Sequence, residues 1–356
     1  MPVLTIDIGA VVANWRFLAA HNAGDTAAVV KADAYGLGAA RIAPALAAAG
    51  CRHFFVATAD EAFALRPIIP ESWIAVLNGC PPGAEAGFVD QNLIPVLNSL
   101  PDCARWQRAA RTAERELPAL LHIDTGMRRL GLDAPELAMI RAEPERLEGI
   151  ALQYIMSHLI SAERPDAPEN AAQATRFATI AAAFPGVKTS LANSSGLFLG
   201  ADFASDLARP GIALYGGNPT PGRANPMRPV ITLSAPILQI RAINEGDTVG
   251  YNATWRAERA SLIATIGVGY ADGLPRRLAG HLTARFQDDE IALIGRISMD
   301  LMTFDVTDHP DLTPGTMLDL IGPGHGIDAI AAEAGTIAYE ILTSLGRRYR
   351  RVVKSV

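Results

Sequence analysis

Along the first two-thirds of the chain, short apolar runs alternate with stretches of helical length. The first four runs are AAVVKA near Ala27, FFVAT near Phe54, IAVLN near Ile74 and IPVLN near Ile94. Four more follow: ALLHID ending at Asp124, ALQYIMSHL ending near Leu159, KTSLANS ending near Ser194 and SDLARPG passing through Arg209. Between them lie Ala- and Leu-rich segments at Ala39–Ala49, Ala59–Ile69, Asp102–Ala113 and Glu169–Phe184, several opened by Asp or Pro and closed by Gly. Eight strand candidates spaced by about 17 to 35 residues predict a (β/α)8 barrel of the TIM type rather than an open sheet. The eighth is open to a second reading, because GIALYG from Gly211 also has strand character.

After Tyr215 the texture changes. A proline- and glycine-rich stretch, GGNPTPGRANPMRP, separates the barrel pattern from β-branched runs broken by NEGD, ADG and QDDE turns. These runs are VITLSAPILQIRAI, SLIATIGVGYA, HLTARFQ, EIALIGRISM and MTFDVTD, followed by one helical stretch at Ile327–Leu345. They predict a mostly antiparallel β domain, so the chain divides into residues 1–221, an α/β barrel, and residues 222–356. The first residues are left able to pair with the β domain.

Composition adds exclusions. Of 356 residues, 49% are hydrophobic and 19% charged, which is too apolar for a disordered chain. Thirty-one basic against 37 acidic residues give a net charge of −6, and no long basic run appears until the final Arg347, Arg348, Arg350 and Arg351, so no nucleic-acid footprint is expected. Cys51, Cys80 and Cys103 form no CxxC pair, and the histidines lack metal-ligand spacing, which argues against a disulfide framework or a metal site. No run has membrane-spanning length and no leader pattern opens the chain, so a cytoplasmic address is expected.

Barrels of this kind carry their chemistry where strands end, so the polar residue closing each apolar run is the one to inspect. Lys31 closes the first. A partly desolvated lysine there is a nucleophile or base; the plainer reading is a lysine that snorkels to water. Asn193, Ser194, Ser195 and Gly196 close the seventh run and Arg209, Pro210 and Gly211 the eighth, where backbone amides of small-residue loops hold phosphate in many barrels. These are also ordinary turn residues. Lysine plus phosphate cradle is the pairing that pyridoxal phosphate needs. Arg128 and Arg129, beyond the fifth run, suit a carboxylate or simple solvation; His158 and Tyr270 suit catalysis or packing.

Taken together, VVKADAYGLG, HIDTGMRRLG, NSSG, ARPGIALYG, GYADGLPRR, GRISMD and TIAYEILTSLG, in this order, resemble the alanine racemases over nearly the whole chain. The resemblance implies a barrel plus β domain, and pyridoxal 5′-phosphate borne on Lys31. It assigns Tyr35, Ser194 and backbone groups of Gly211 and Ile212 to the phosphate, Arg209 to the pyridine nitrogen and His158 to the ring side. Arg129 falls beside the substrate carboxylate. It further implies a two-base exchange of L- and D-alanine, with Lys31 on one face and Tyr270 of a second subunit on the other. The implied assembly is a head-to-tail homodimer in which Met299 and Asp300 also reach across, and the implied role is supply or consumption of D-alanine for the bacterial cell wall.

Three departures from the family pattern stand out. His122 replaces a lysine that is often carbamylated, so no carbamate forms to orient Arg129. Ser190 replaces a histidine beside the cofactor arginine, which predicts that Arg209 loses a hydrogen-bond partner. Arg347 stands where some members have a phosphate-directed tyrosine. Other readings fit less well: a decarboxylase would need an acidic ring partner in place of Arg209, a D-amino acid lyase a paired His and Cys metal site, and a single-domain cofactor carrier would have no use for GYADG.

Overall fold

The computed structural model describes residues 1–354 as two compact units. One comprises Val12–Leu214 and Asn218–Pro226; the other comprises Met1–Val11, Tyr215–Gly217 and the chain from Met227 onward.

Strand β1 (Val3–Asp7) belongs to the second unit. The barrel unit begins with β2 (Asp25–Thr26) and β3 (Ala28–Val29), then β4 (His53–Val56), β5 (Trp73–Val76), β6 (Leu93–Leu97), β7 (Leu117–His122), β8 (Ile150–Met156), β9 (Lys188–Ser190) and β10 (Leu207–Ala208). Strands β3 to β9 pair in parallel in chain order, and β10 pairs in parallel with β2. Ring closure is completed by the Ala27 N–H donating to Ala208 O at 2.9 Å and the Arg209 N–H donating to Ala192 O at 2.8 Å. Because parallel strands are covered on both faces, their sequences are unbroken apolar runs: Phe54, Phe55, Ile74, Ala75 and Val76 are all inaccessible. The eighth strand is thus the SDLARPG segment, and Ile212–Tyr215 of GIALYG is a 3-10 turn.

The predicted helices occur at Ala39–Ala48, Ala59–Leu65, Leu100–Thr112 and Pro168–Ala181. The second starts at a capping box, with Thr58 Oγ1 accepting the Glu61 N–H at 3.3 Å. Three further helices, Ile8–Ala20, Glu85–Asp90 and Ala134–Ala142, escape the sequence reading. The Asn14 side chain donates to Leu214 O at 3.2 Å, tying the start of the barrel segment to its end.

The second unit is built on β1, β11 (Ile231–Ile243), β14 (Ser261–Ile266), β15 (Thr283–Phe286), β16 (Asp289–Ile294), β17 (Met302–Asp305), β18 (Met317–Ile321) and β19 (Arg350–Lys354), with a small ribbon of β12 (Thr248–Val249) and β13 (Trp255–Arg256). The eight-stranded sheet runs β14-β17-β16-β15-β18-β11-β1-β19, and β11 also pairs with β14. All these pairings are antiparallel except β1 with β19, where Val3 lies opposite Arg350. Strand β1 shows the alternation expected of a half-covered strand, with Leu4 and Ile6 buried. The helical stretch predicted at Ile327–Leu345 is two helices, Ile327–Ala334 and Ala338–Ser344, because Gly335 adopts a left-handed conformation (φ +65°) that ends the first. Among the described residues, no helix is long and apolar enough to cross a membrane. Nor do three or more His, Cys, Asp or Glu side chains form a metal-binding group among them. The three cysteines are buried and unpaired, with burial pushing each thiol up to about 12.

Candidate active site

Lys31 follows β3 and opens a turn of uncommon hand. Ala32, Asp33, Ala34 and Tyr35 all have φ between +51° and +55°. A left-handed turn costs L-residues about 1–2 kcal/mol each, so four in a row cost roughly 4–8 kcal/mol, and the surroundings must hold them. Inside the turn, Ala34 N–H donates to Val30 O at 2.8 Å and Gly36 N–H to Ala32 O at 2.7 Å; from outside, Glu61 accepts the Ala32 N–H at 2.7 Å. This hand carries the buried Tyr35 to the loop after β10. A Cβ on Gly211 would collide with the Tyr35 hydroxyl, so glycine is required for that close approach. The Ser194 hydroxyl oxygen accepts the N–H groups of Gly211 (3.0 Å) and Ala213 (3.3 Å). Tyr35, Ser194, Gly211 and the buried Ile212 thus form one polar cradle at the carboxyl end of the barrel.

Arg209 lies beneath, fully enclosed. Its Nη1 donates to Ser190 Oγ at 2.5 Å and its Nη2 to Ser157 O at 2.6 Å, while its Cζ sits 6.0 Å from the centre of the Phe55 ring. The expected loss of a partner at Ser190 is therefore corrected. Ser190 ends β9 beside β10, and its hydroxyl accepts from the guanidinium while donating to Leu207 O at 2.6 Å. Burial pushes Arg209 down to about 10, which leaves it protonated near neutrality.

The loop after β7 supplies the next groups. His122 Nδ1 lies 2.8 Å from Asn98 Oδ1. Because Asn98 Nδ2 already donates to Leu77 O and Val96 O, its oxygen faces the ring, so Nδ1 carries the proton and Nε2 the lone pair. Burial, then the charges of Arg209 and Arg129, push His122 down to about 4, and the same forces with Lys31 push His158 down to about 3. Both rings are neutral near pH 7. Arg129 itself is exposed on the Asp124–Leu132 loop, close enough for its charge to act on Lys31, His122 and His158. Lys31 is lowered by burial and by Arg129, against the opposing pull of Glu61. Three cationic side chains, two neutral imidazoles and a cradle of hydroxyls and amides suit a ligand with several negative charges.

In the β unit, Tyr270 opens a 3-10 turn (Tyr270–Asp272) and is 41% exposed. Gly269 before it has no room for a Cβ against the Met299 carbonyl, and the Tyr270 N–H donates to Ser298 O at 3.1 Å. The turn is locked by buried Asp272, which receives Arg348 Nε at 2.7 Å and Nη2 at 2.8 Å; Arg348 Nη1 reaches Asp300 at 2.6 Å. Tyr270, Met299 and Asp300 are thereby neighbours, and Tyr270, Met299 and Leu301 leave apolar surface exposed. Arg347 is exposed beside this network.

The structure thus gathers Lys31, Tyr35, Arg129, His158, Ser194, Arg209, Gly211 and Ile212 at one end of the barrel, and Tyr270 with Met299 in the β unit. Sequence reasoning missed Glu61, Asn98 and the Asp272–Arg348 pair. Glu61 had a visible signal, the T-x-x-E of its capping box; Asn98 and Asp272 had none, since each is defined by a partner distant in sequence.

Residues 6–219 match the family description "Alanine racemase, N-terminal domain" and residues 230–353 match "Alanine racemase, C-terminal domain". A curated alanine racemase of Acidiphilium cryptum is 67% identical over 355 residues, covering 100% of this chain and 99% of that protein. One of Rhodospirillum rubrum is 50% identical over 354 residues, covering 98% and 95%. The crystal structure of the Bartonella henselae alanine racemase, described with covalently bound pyridoxal phosphate, superposes with a TM-score of 0.95 at 43% identity and 99% coverage of both chains. On this agreement of sequence, fold and matched domains, the chain belongs to the alanine racemase family.

Proposed function

We propose that the protein racemises alanine with pyridoxal 5′-phosphate, Lys31 and Tyr270 serving as the two bases. The observation that carries this reading is the turn that starts at Lys31 and ends with the Tyr35 hydroxyl seated over Gly211, above a buried, protonated Arg209. The donor set fits the cofactor: a lysine for its aldehyde, hydroxyls and amides for its phosphate, and a permanent cation for its ring nitrogen. When bound, the cofactor supplies the conjugated electron sink that acidifies the Cα–H of an amino acid.

The chain's own residues do the rest. Tyr35, Ser194, Gly211 and Ile212 hold the phosphate. Arg209, held by Ser190 and Ser157, would face the pyridine nitrogen as a donor that does not surrender its proton, which would leave the electron sink a weak one. His158 packs on the ring side as a neutral imidazole, and Arg129 orients the substrate carboxylate. Lys31, its basicity reduced by burial and Arg129, removes or returns the proton on the D face. Tyr270 of a second subunit does so on the L face. The homodimer is head-to-tail, with Met299 and Asp300 reaching across beside Tyr270; the exposed apolar surface of Tyr270, Met299 and Leu301 supports a covering partner. The address is cytoplasmic, and the product serves or drains the D-alanine supply of the cell wall.

The test is incubation of the holoenzyme with L-alanine in heavy water, following optical activity and Cα deuteration together. Racemisation with deuterium incorporation, lost in Lys31→Ala, is expected. Exchange without inversion would remove Tyr270 from its role, and no exchange would overturn the reading.

A further inference from the structure

Glu61 joins the ends of two neighbouring barrel strands. Its Oε1 accepts the Ala32 N–H at 2.7 Å, the amide directly after Lys31. Its Oε2 accepts the Ala57 N–H, just beyond β4, at 2.7 Å, and the Thr58 N–H at 3.3 Å. Only an ionised carboxylate presents an acceptor at both ends; an amide would turn its own N–H2 toward one of the backbone donors. The turn it anchors is the left-handed one, a conformation that persists only where its surroundings over-determine it. The donors within the turn begin with the amide of Ala34, and although Gly36 N–H holds the Ala32 carbonyl, the Ala32 N–H adjoining Lys31 is held by Glu61. The charge of Glu61 also favours the protonated form of Lys31, opposing that of Arg129.

We infer that Glu61 is the positioning residue of Lys31. Through the Ala32 amide it fixes the direction in which the lysine leaves the barrel, and by holding the turn left-handed it sets the span from Lys31 to the Tyr35 hydroxyl over Gly211. The inference rests on the reading of Lys31 as the cofactor-bearing residue. A purely structural alternative exists, since Glu61 also completes the capping box with Thr58. The two are separable because Thr58→Ala breaks the cap and leaves both carboxylate oxygens in place.

The experiment compares wild-type holoenzyme, Glu61→Gln and Thr58→Ala by two measurements. One is amide hydrogen exchange of the segment 31–38; the other is the rate at which hydroxylamine strips the cofactor from Lys31. Glu61→Gln is expected to speed both at least tenfold, while Thr58→Ala leaves the stripping rate within twofold of wild type. Stripping at the wild-type rate in Glu61→Gln, or an equal acceleration in Thr58→Ala, would reduce Glu61 to a helix cap. If Glu61→Gln does not fold, Glu61→Asp, which keeps the charge but is too short to span both amides, takes its place with the same expected outcome. Wild-type protein in which borohydride fixes no cofactor on Lys31 would overturn the cofactor reading itself, before any variant is made.

Discussion

Gly211→Ala isolates the cradle, because the backbone there is not in the left-handed region and the added methyl meets a single obstacle. The new Cβ collides with the Tyr35 hydroxyl and lies 3.0 Å from its ring carbon Cζ, while the next neighbour, Val29 Cβ, is at an ordinary 3.5 Å. The tyrosine must therefore swing away, and in the proposed reading its hydroxyl leaves the phosphate. A hydrogen bond to a charged group is worth about 1.5–3 kcal/mol, which at about 1.4 kcal/mol per decade predicts cofactor affinity weakened about ten- to 150-fold. Tyr35→Phe removes the same hydroxyl without the collision and is expected to cost a similar amount. The decisive quantity is the double variant. Once the hydroxyl is gone, the alanine methyl needs only a small yield from the ring, so Gly211→Ala/Tyr35→Phe should bind cofactor about as well as either single variant rather than showing the product of the two losses. Absorbance titration with pyridoxal phosphate reads all four proteins. Additive losses, or wild-type affinity in Gly211→Ala, would refute the placement of Tyr35 over the phosphate.

Three further expectations follow from the same geometry. Ser190→Ala leaves an Arg209 N–H and the Leu207 carbonyl without their shared hydroxyl in a dry site; a stability loss of about 2–4 kcal/mol and a shifted cofactor absorbance are expected, and an unchanged unfolding midpoint with an unchanged spectrum would refute it. Tyr270→Phe should slow Cα exchange of L-alanine by at least tenfold more than that of D-alanine, which deuterium incorporation into each enantiomer measures. His122 is held neutral, its folded value lowered to about 4, so the unfolded chain takes up the proton first as pH falls from 6.5. Stability is complete above 6.5 and is lost toward pH 4, by on the order of 3 kcal/mol for this residue. Denaturant unfolding between pH 7 and 4.5 should show a shallower loss in His122→Asn; an identical slope would show that the histidine is not neutral in the fold.

The barrel was legible because parallel strands advertise themselves: FFV at Phe54 and IAV at Ile74 are apolar on both faces, with polar residues waiting at their ends. Lys31 and Arg209 were found by that rule. The helix Ile8–Ala20 was not, since its IGAVVA opening is apolar all round and offers no amphipathic period. The break at Gly335 was hidden in a stretch whose flanks both read as helix. Ser190 was misjudged for a different reason. A serine in place of a histidine reads as a lost partner until β9 and β10 are seen side by side, where the short hydroxyl accepts a hydrogen bond from Arg209. Glu61 was half legible: T-x-x-E announces its capping box, but its reach to the Ala32 amide leaves no mark on a sequence, because a backbone amide 29 residues away carries no side-chain signature.

The pairing of β1 with β19, Val3 opposite Arg350, has a consequence for how the molecule is made. A ribosome delivers β1 long before either of the strands that flank it. The whole barrel segment from Val12 to Leu214 emerges in between, and its own strands find their neighbours in the order of synthesis. Strand β1 must stay unpaired until β11 and then β19 arrive, a pairing of very high sequence separation and so among the slowest to form. The same late strand follows Arg348, which clamps the turn bearing Tyr270. The proposed base on the tyrosine side is therefore assembled at the close of synthesis, after the lysine side already has its barrel.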